Sequence, residues 1–346
     1  MGHTDQVNSR RRTPGLVDLQ VNGYAGFDVN ADDVSPDTIV ALTRALWAEG
    51  VTTYLPTVIT AGEEKIRHSL AQIAAARRSD PLIAHSIPGV HVEGPYLAPD
   101  DGPRGAHDVA HLRDPDLGEL ERWQQAAEGL VRIVTLAPER TGSAEYIAGA
   151  VARGVRVSVG HSAAEPEHVR AAVQAGATLS THLGNGTYPV LPRHPNHIWA
   201  QLAADGLTAM FIPDGHHLPA DTLTAMIRAK GLGRSVLTSD SVALAGVAAG
   251  EYRTPVGGAV TVHDDGRLTL AGTHLLAGSG HSLRHGLAWA RSQLPFSGQD
   301  LLTMATTNPA ALLGLPERVT DGADTVEWDQ DAVVATRVAG TEVYRA

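Results

Sequence analysis

Short apolar runs rich in β-branched residues recur along the chain: Leu16–Val21 (LVDLQV), Val51–Leu55, Gly89–Val92, Val131–Leu136, Val155–Val159, Leu179–His182, Thr208–Ile212 and Ser235–Thr238. Between them lie longer stretches in which apolar residues return every three or four positions, the repeat of one helix face. Ile39, Leu42 and Leu46 mark such a face in Pro36–Glu49, and similar patterns predict helices over Glu63–Arg77, Leu117–Ala127, Ala144–Ala152, Pro166–Ala175 and Pro219–Lys230. Ser35-Pro36 and Pro166 stand where helices begin, and Gly50, Gly154, Gly176 and Gly231 where they end. Strands of nearly continuous apolar character that alternate with helices predict a parallel sheet covered on both faces. Eight of them predict an α/β protein built on a (β/α)8 TIM-type barrel. An open doubly wound sheet is the competing arrangement. No G-x-G-x-x-G follows the first strand, however, so a dinucleotide site has no support.

The pattern changes after Asp240. Gly257–Ala271 (GGAVTVHDDGRLTLA) predicts a β-hairpin with Asp-Asp-Gly at its turn. Helices follow between His281 and Leu315, and strand-like runs lie at Thr325–Trp328, Val333–Val338 and Glu342–Tyr344. The expected organisation is a barrel over 14–315, carrying the hairpin near 257–271, and a small β-appendage over 316–346 that 1–13 can join. At 346 residues, 43% hydrophobic and 19% charged, the chain is long and apolar enough for a large core, which excludes wholesale disorder. A net charge of −11 argues against nucleic-acid and anionic-membrane partners. The absence of cysteine removes disulfides, thiolate metal sites and Cys nucleophiles. No apolar run approaches the roughly 20 residues of a membrane span. The start, MGHTDQVNSRRRTPG, lacks the apolar stretch of a secretory signal, so a cytoplasmic location is expected. Seventeen histidines draw attention to metal or proton chemistry.

In a barrel of this kind the C-terminal strand ends face the active site. Polar residues gather there: Gln20 and Asn22 at the end of the first strand, Glu93 at that of the third, His161 at that of the fifth and His182 at that of the sixth. Asp214, His216 and His217 follow the seventh strand and Asp240 the eighth. A single polar residue at a strand end is most simply a hydrogen-bonded terminus, but six such hits form a pattern. His161 and His182 stand one β/α unit apart, so neighbouring strands present both imidazoles to one rim, where Glu93 can converge with them. Two imidazoles and a carboxylate suit Zn2+ or Fe2+ with positions open for water. Such an ion lowers the pKa of bound water towards about 7 and polarises a carbonyl. Asp240 is then placed to take the water's proton and pass it to a leaving amine.

PGLVDLQVNGYAGFDVN, HVEGPYL, GPRGAH, VGHSAAEPEHVRAAVQAGATLSTHLGN, DGHHL, SDSVALAG and LAGS follow one another between Pro14 and about Leu315. In content and order these motifs resemble the N-acetylglucosamine-6-phosphate deacetylase family of the amidohydrolase superfamily. The resemblance implies an amidohydrolase barrel with Glu93, His161 and His182 as metal ligands and Asp240 as the catalytic aspartate. It implies that His107 contacts the substrate amide, and that Asn185 and Gly186 lie where the loop after Thr-His-Leu meets a phosphate. Arg193 and His217 match phosphate-side residues, the arginine reaching in from a neighbouring subunit of a homodimer. Gln20 and Asn22 occupy places where some relatives carry His-x-His for a second metal, so one divalent ion is implied: Zn2+ first, Fe2+ or a similar ion as the alternative. The implied reaction removes the N-acetyl group from an amino sugar, N-acetylglucosamine 6-phosphate first. The same deacylation of an unphosphorylated or biosynthetic N-acyl substrate is the alternative, and a silent sugar-binding paralogue stands further off.

Three departures accompany the resemblance. Few residues precede the first barrel strand, where the family carries several strands. The loop after Thr-His-Leu reads GNGTYPVLPRHPNHIWAQL, which keeps Asn185, Arg193 and Pro195 but introduces His194, Asn196 and His197. The tail lacks the family's glycine-rich closing segment.

Overall fold

The structure, a computed structural model, describes residues 10–254 and 258–346. Its centre is an eight-stranded sheet: β1 (Leu16–Val21), β2 (Val51–Ile59), β3 (Val90–Glu93), β4 (Val131–Leu136), β5 (Arg156–Val159), β6 (Leu179–Ser180), β7 (Thr208–Phe211) and β8 (Ser235–Leu237). Each strand pairs in parallel with its neighbour in chain order. The seam between β8 and β1 is joined by Asn22 N–H donating to Ser241 O at 2.8 Å and Asp240 N–H donating to Gln20 O at 3.0 Å. This is the (β/α)8 barrel that the alternation of patterns predicts.

Period-two alternation along the strands creates two packed layers. Val17, Leu19, Leu55, Ile133, Leu179, Met210 and Val236 form one buried cluster. Ala310, Leu312 and Leu313, from the helix Thr307–Leu313, belong to the same cluster. Val58, Val92, Val134, Val157, Phe211 and Leu237 join the helix faces. Those faces are the predicted ones: Ile39, Leu42 and Leu46 are buried in the helix Pro36–Ala48, and Ile66, Leu70 and Ile73 in Glu63–Ser79.

Boundaries differ where proline misleads the pattern. β2 continues past Leu55 to Ile59, because Pro56 needs no donor at its register with Val21 and Thr57–Ile59 then pairs with β3. Two short helices lie in stretches that lack a long apolar repeat. Pro81–Ser86 is capped by Asp80, which accepts from Leu82 N–H at 2.7 Å. His197–Ala203 is capped by Asn196, which accepts from Ile198 and Trp199 N–H at 3.1 and 3.2 Å.

The tail strands Thr325–Asp329, Ala332–Val338 and Thr341–Arg345 form an antiparallel sheet with Arg10–Pro14 as its fourth member. Thr336 Oγ1 donates to Trp47 O at 2.7 Å, tying this sheet to the helix Pro36–Ala48. The strands Gly258–Val262 and Leu268–Leu270 make the predicted hairpin, and Gly250–Thr254 adds a third strand. Gly257 of the predicted hairpin and residues 1–9 of the predicted appendage lie outside the described residues. Among the described residues no helix is long and apolar enough to cross a membrane.

Candidate active site

Above its apolar layer the barrel carries hydroxyls. Thr135 Oγ1 lies 2.7 Å from His91 Nε2 and 2.6 Å from Thr181 Oγ1, which in turn meets Ser158 Oγ at 2.5 Å. His91 Nδ1 donates to Leu19 O at 3.2 Å, and burial pulls this imidazole down to about 4, so it is neutral at physiological pH. Next to this network lie Glu93 at the end of β3, His161 after β5 and His182 after β6, all buried.

Three of their atoms form a near-equilateral triangle. His182 Nε2 lies 3.0 Å from Glu93 Oε1 and 3.1 Å from His161 Nε2, and His161 Nε2 lies 3.3 Å from Glu93 Oε1. Burial alone would raise the Glu93 pKa, but hydrogen bonds from His161 and His182 outweigh it and hold the carboxyl well below its usual range. His161 Nδ1 donates to Pro103 O at 2.9 Å, so loss of the Nε2 proton turns the Nε2 lone pair towards the cluster. A ligand bond of about 2.0–2.1 Å to a central ion gives ligand–ligand edges of this size. The donor set and its spacing therefore fit one divalent cation. Among the described residues this is the one group of three such side chains whose ligand atoms lie within 4.8 Å of one another.

Backbone geometry aims these groups. His161, His182 and Asp240 sit at φ +50°, +27° and +51°, the left-handed region that side chains other than glycine rarely enter. Two glycines let the chain close on His161. A Cβ on Gly186 would fall 2.7 Å from His161 Nδ1, and one on Gly105 would fall 3.1 Å from its Cε1. Gly186 O also accepts from Ser162 N–H at 3.1 Å, while Asn185 donates through N and Nδ2 to His182 O at 3.0 and 3.2 Å.

Around the triangle stand further polar groups. His107 Nε2 lies 3.3 Å from His161 Nε2, and its Nδ1 meets Thr60 Oγ1 at 2.9 Å. Burial and the neighbouring His161 pull His107 down to about 3, so it is neutral. Gln20 Nε2 donates to Glu93 Oε1 at 3.0 Å and Asn22 Nδ2 to Asp240 Oδ1 at 2.8 Å. Their amide oxygens, Gln20 Oε1 and Asn22 Oδ1, are buried without a partner among the described residues. Burial and the Glu93 charge push Asp240 up to about 6. His217 Nδ1 meets Asp214 Oδ2 at 2.6 Å. Burial would raise Asp214, but the His217 charge and hydrogen bonds outweigh it and bring the carboxyl down to about 2.

The structure thus gathers Glu93, His161, His182 and His107 into direct contact, with Asn185 and Gly186 against the two histidines and Asp240 and His217 at the β8 and β7 ends. Of the DGHH pair, His217 pairs with Asp214, while His216 turns outward to Asp265 O at 3.3 Å. Arg193 is exposed and has no side-chain partner among the described residues; its carbonyl accepts from Trp199 Nε1 at 3.1 Å. His197 is buried against Thr187 and Gln201, and His194 is exposed. The strand-end pattern does not reach Thr60, because the apolar run Val51–Leu55 stops short of the strand's end at Ile59. It also passed over Asp18, which accepts from Thr238 Oγ1 at 2.6 Å and Ser239 N–H at 3.1 Å and so fixes the turn into Asp240.

A sequence profile of the amidohydrolase family matches residues 12–324. The chain is 32% identical to N-acetylglucosamine-6-phosphate deacetylase of Bacillus subtilis (strain 168), over 93% of this chain and 80% of that protein. It is 34% identical to N-acetylgalactosamine-6-phosphate deacetylase of Escherichia coli O157:H7, over 87% and 78% of the two chains. A variant of N-acetyl-D-glucosamine-6-phosphate deacetylase from Mycobacterium smegmatis, solved in complex with N-acetyl-D-glucosamine 6-phosphate, superposes with a TM-score of 0.86 at 34% identity. That match covers 96% of this chain and 87% of the other.

Proposed function

The chain belongs to the amidohydrolase family, and from that premise we propose that it removes the acetyl group from an N-acetylated amino sugar 6-phosphate, N-acetylglucosamine 6-phosphate first. The products are acetate and the free amine. The observation that carries this reading is the buried triangle of Glu93, His161 and His182 beside Asp240. Family membership implies a divalent metal, and we assign Zn2+ to the triangle. When bound there, such an ion activates water near neutral pH and polarises the amide carbonyl.

The chain's own residues supply the rest. Asn22 holds one oxygen of Asp240 and leaves the other to accept the proton of the attacking water. Asp240 then returns that proton to the departing nitrogen, the sequence expected of a positioned acid–base group. His107, kept neutral and fixed by Thr60, is available to donate through Nε2 to the acetamide oxygen. Asn185 and Gly186, on the loop after Thr-His-Leu, are assigned with His217 to the phosphate side.

Arg193 is assigned to the phosphate across a homodimer interface, because within one chain it stands exposed on a loop between the exposed Val190 and the exposed Trp199 of the following helix. Arginine suits bidentate phosphate recognition. A cytoplasmic location belongs to the same reading. The galactosamine-specific name of one relative, at 34% identity, makes the 4-epimer the second substrate to compare. Acetate release is to be measured on the 6-phosphates of both N-acetylhexosamines and on the unphosphorylated sugars. This reading expects a clear preference in kcat/KM for a phosphorylated sugar. Equal rates with and without phosphate shift the assignment to an unphosphorylated N-acyl substrate.

A further inference from the structure

Two features of the sequence take no part in this chemistry: the outward histidine of the DGHH motif and the Asp-Asp-Gly turn of the hairpin. They meet at a cavity of about 290 Å3 whose lining includes His216, His281, Asp265 and Trp289. His216 Nε2 lies 3.3 Å, and His281 Nε2 3.1 Å, from one and the same atom, the main-chain carbonyl oxygen of Asp265. The two rings are nearly parallel, 14° apart with centroids separated by 5.7 Å.

The carbonyl is held there by backbone packing. A Cβ on Gly266 would fall 2.7 Å from His281 Nε2, and one on Gly280 would fall 1.9 Å from Gly266 O. Gly266 also sits at φ +80°, so the turn reaches this position because glycine can occupy it.

We propose that His216, His281 and the Asp265 carbonyl form a second, weaker site for a divalent transition-metal ion such as Zn2+. The two N···O separations are ligand–ligand edges for bonds of about 2.0–2.2 Å. Imidazole nitrogen is a favoured ligand for Zn2+ and its neighbours. Neither Nδ1 has a hydrogen-bond partner among the described residues. Moving each ring proton from Nε2 to Nδ1 therefore frees both Nε2 lone pairs and breaks only the two bonds to the carbonyl. Remaining positions open to the cavity, where water completes the shell. The Asp265 carboxylate and a net charge of −11 favour a cation. His285, the next ring in the stack, is committed to Ser282 and Arg284 and does not contribute. With two side-chain ligands against three, this site binds more weakly than the Glu93–His161–His182 triangle. His216 shares Asp214 Oδ1 with His217 through their backbone N–H groups, both at 2.9 Å, so an ion here borders the candidate active site.

The test uses protein already carrying one ion per chain. It is titrated with Zn2+ by calorimetry, and bound ions are counted after equilibrium dialysis. Wild-type protein should take up a second ion. His216→Ala and His281→Asn should each weaken that second binding by on the order of 10-fold or more while retaining the first ion. His274→Ala, at an exposed histidine, should bind as wild type. If His281→Asn fails to fold and loses the first ion, His216→Ala decides. Electron paramagnetic resonance of Cu2+ at the second site should report two ring nitrogens, and one in either variant. No second ion in wild-type protein, or a second ion that both substitutions leave undisturbed, overturns the proposal.

Discussion

Asp240 occupies an uncomfortable place: half-buried near Glu93, with its backbone at φ +51°. Non-glycine residues in that region cost of order 1–3 kcal/mol and persist where surrounding structure holds them. Here Asp18, Asn22 and the β1 backbone do the holding. Asp240→Asn should retain the catalytic ion and lose the hydrolytic step by about 10²–10⁴, measured as acetate release. The same substitution should stabilise ion-free protein. A folded pKa of about 6 lies above the ordinary 3.8, so the folded chain holds this proton more tightly than the unfolded chain. Stability from this group is therefore present below about pH 4 and is lost as pH rises through 6. Asparagine carries no charge and tolerates left-handed backbone. Ion-free Asp240→Asn should therefore be more stable than wild type at pH 8, by about 3 kcal/mol, melting higher there and alike near pH 4. Equal melting at pH 8 contradicts this placement of the carboxylate. Gly186 gives a second test at this scale. Gly186→Ala puts a methyl group where only 2.7 Å separates it from His161 Nδ1, at a φ of +56°. Zn2+ affinity should fall on the order of 10–100-fold, the range for disturbed support around a ligand, as read by competition with a chelator dye.

At the scale of elements, the sequence was most legible where periodicity and chemistry coincide. His161 and His182 could be placed on adjacent strand ends because each follows an apolar run bounded by helical repeats. Glu93 could be placed for the same reason. Thr60 is hidden because the apolar run ends at Leu55, yet the strand continues through Pro56 into β3 pairing. The helix His197–Ala203 is hidden because seven residues are too few for an apolar repeat to declare itself. That helix bounds the altered loop that carries Arg193. Asn196→Ala should cost about 1 kcal/mol of stability, measured by denaturant unfolding. Arg193→Ala should instead leave stability unchanged and erase most of the preference for a phosphorylated substrate in kcat/KM. Indifference of that ratio to Arg193→Ala removes the arginine from the phosphate side.

At the scale of the whole molecule, the barrel brings together residues far apart in the chain, such as Asn22 and Asp240, 218 positions apart, or Asp18 and Ser239, 221 apart. Sequence spacing alone carries no trace of such a contact; only the closure of eight strands creates it. The tail likewise reads as strands, but its pairing with Arg10–Pro14 is a long-range choice that local pattern does not encode. Assembly is the next level. If Arg193 serves a neighbouring subunit, a mixture of Arg193→Ala and Asp240→Asn chains should recover part of the activity that either lacks, through hybrid sites. No recovery, once subunit exchange is shown, assigns the arginine to its own chain or to no site.

The most direct measurement is acetate release from N-acetylglucosamine 6-phosphate by chelator-stripped protein reloaded with counted Zn2+. The rate should rise in proportion to bound ion, level off at one ion per chain, and vanish in His161→Ala, which should no longer retain that ion. Full turnover by stripped protein, or none by protein carrying its ion, would contradict the account.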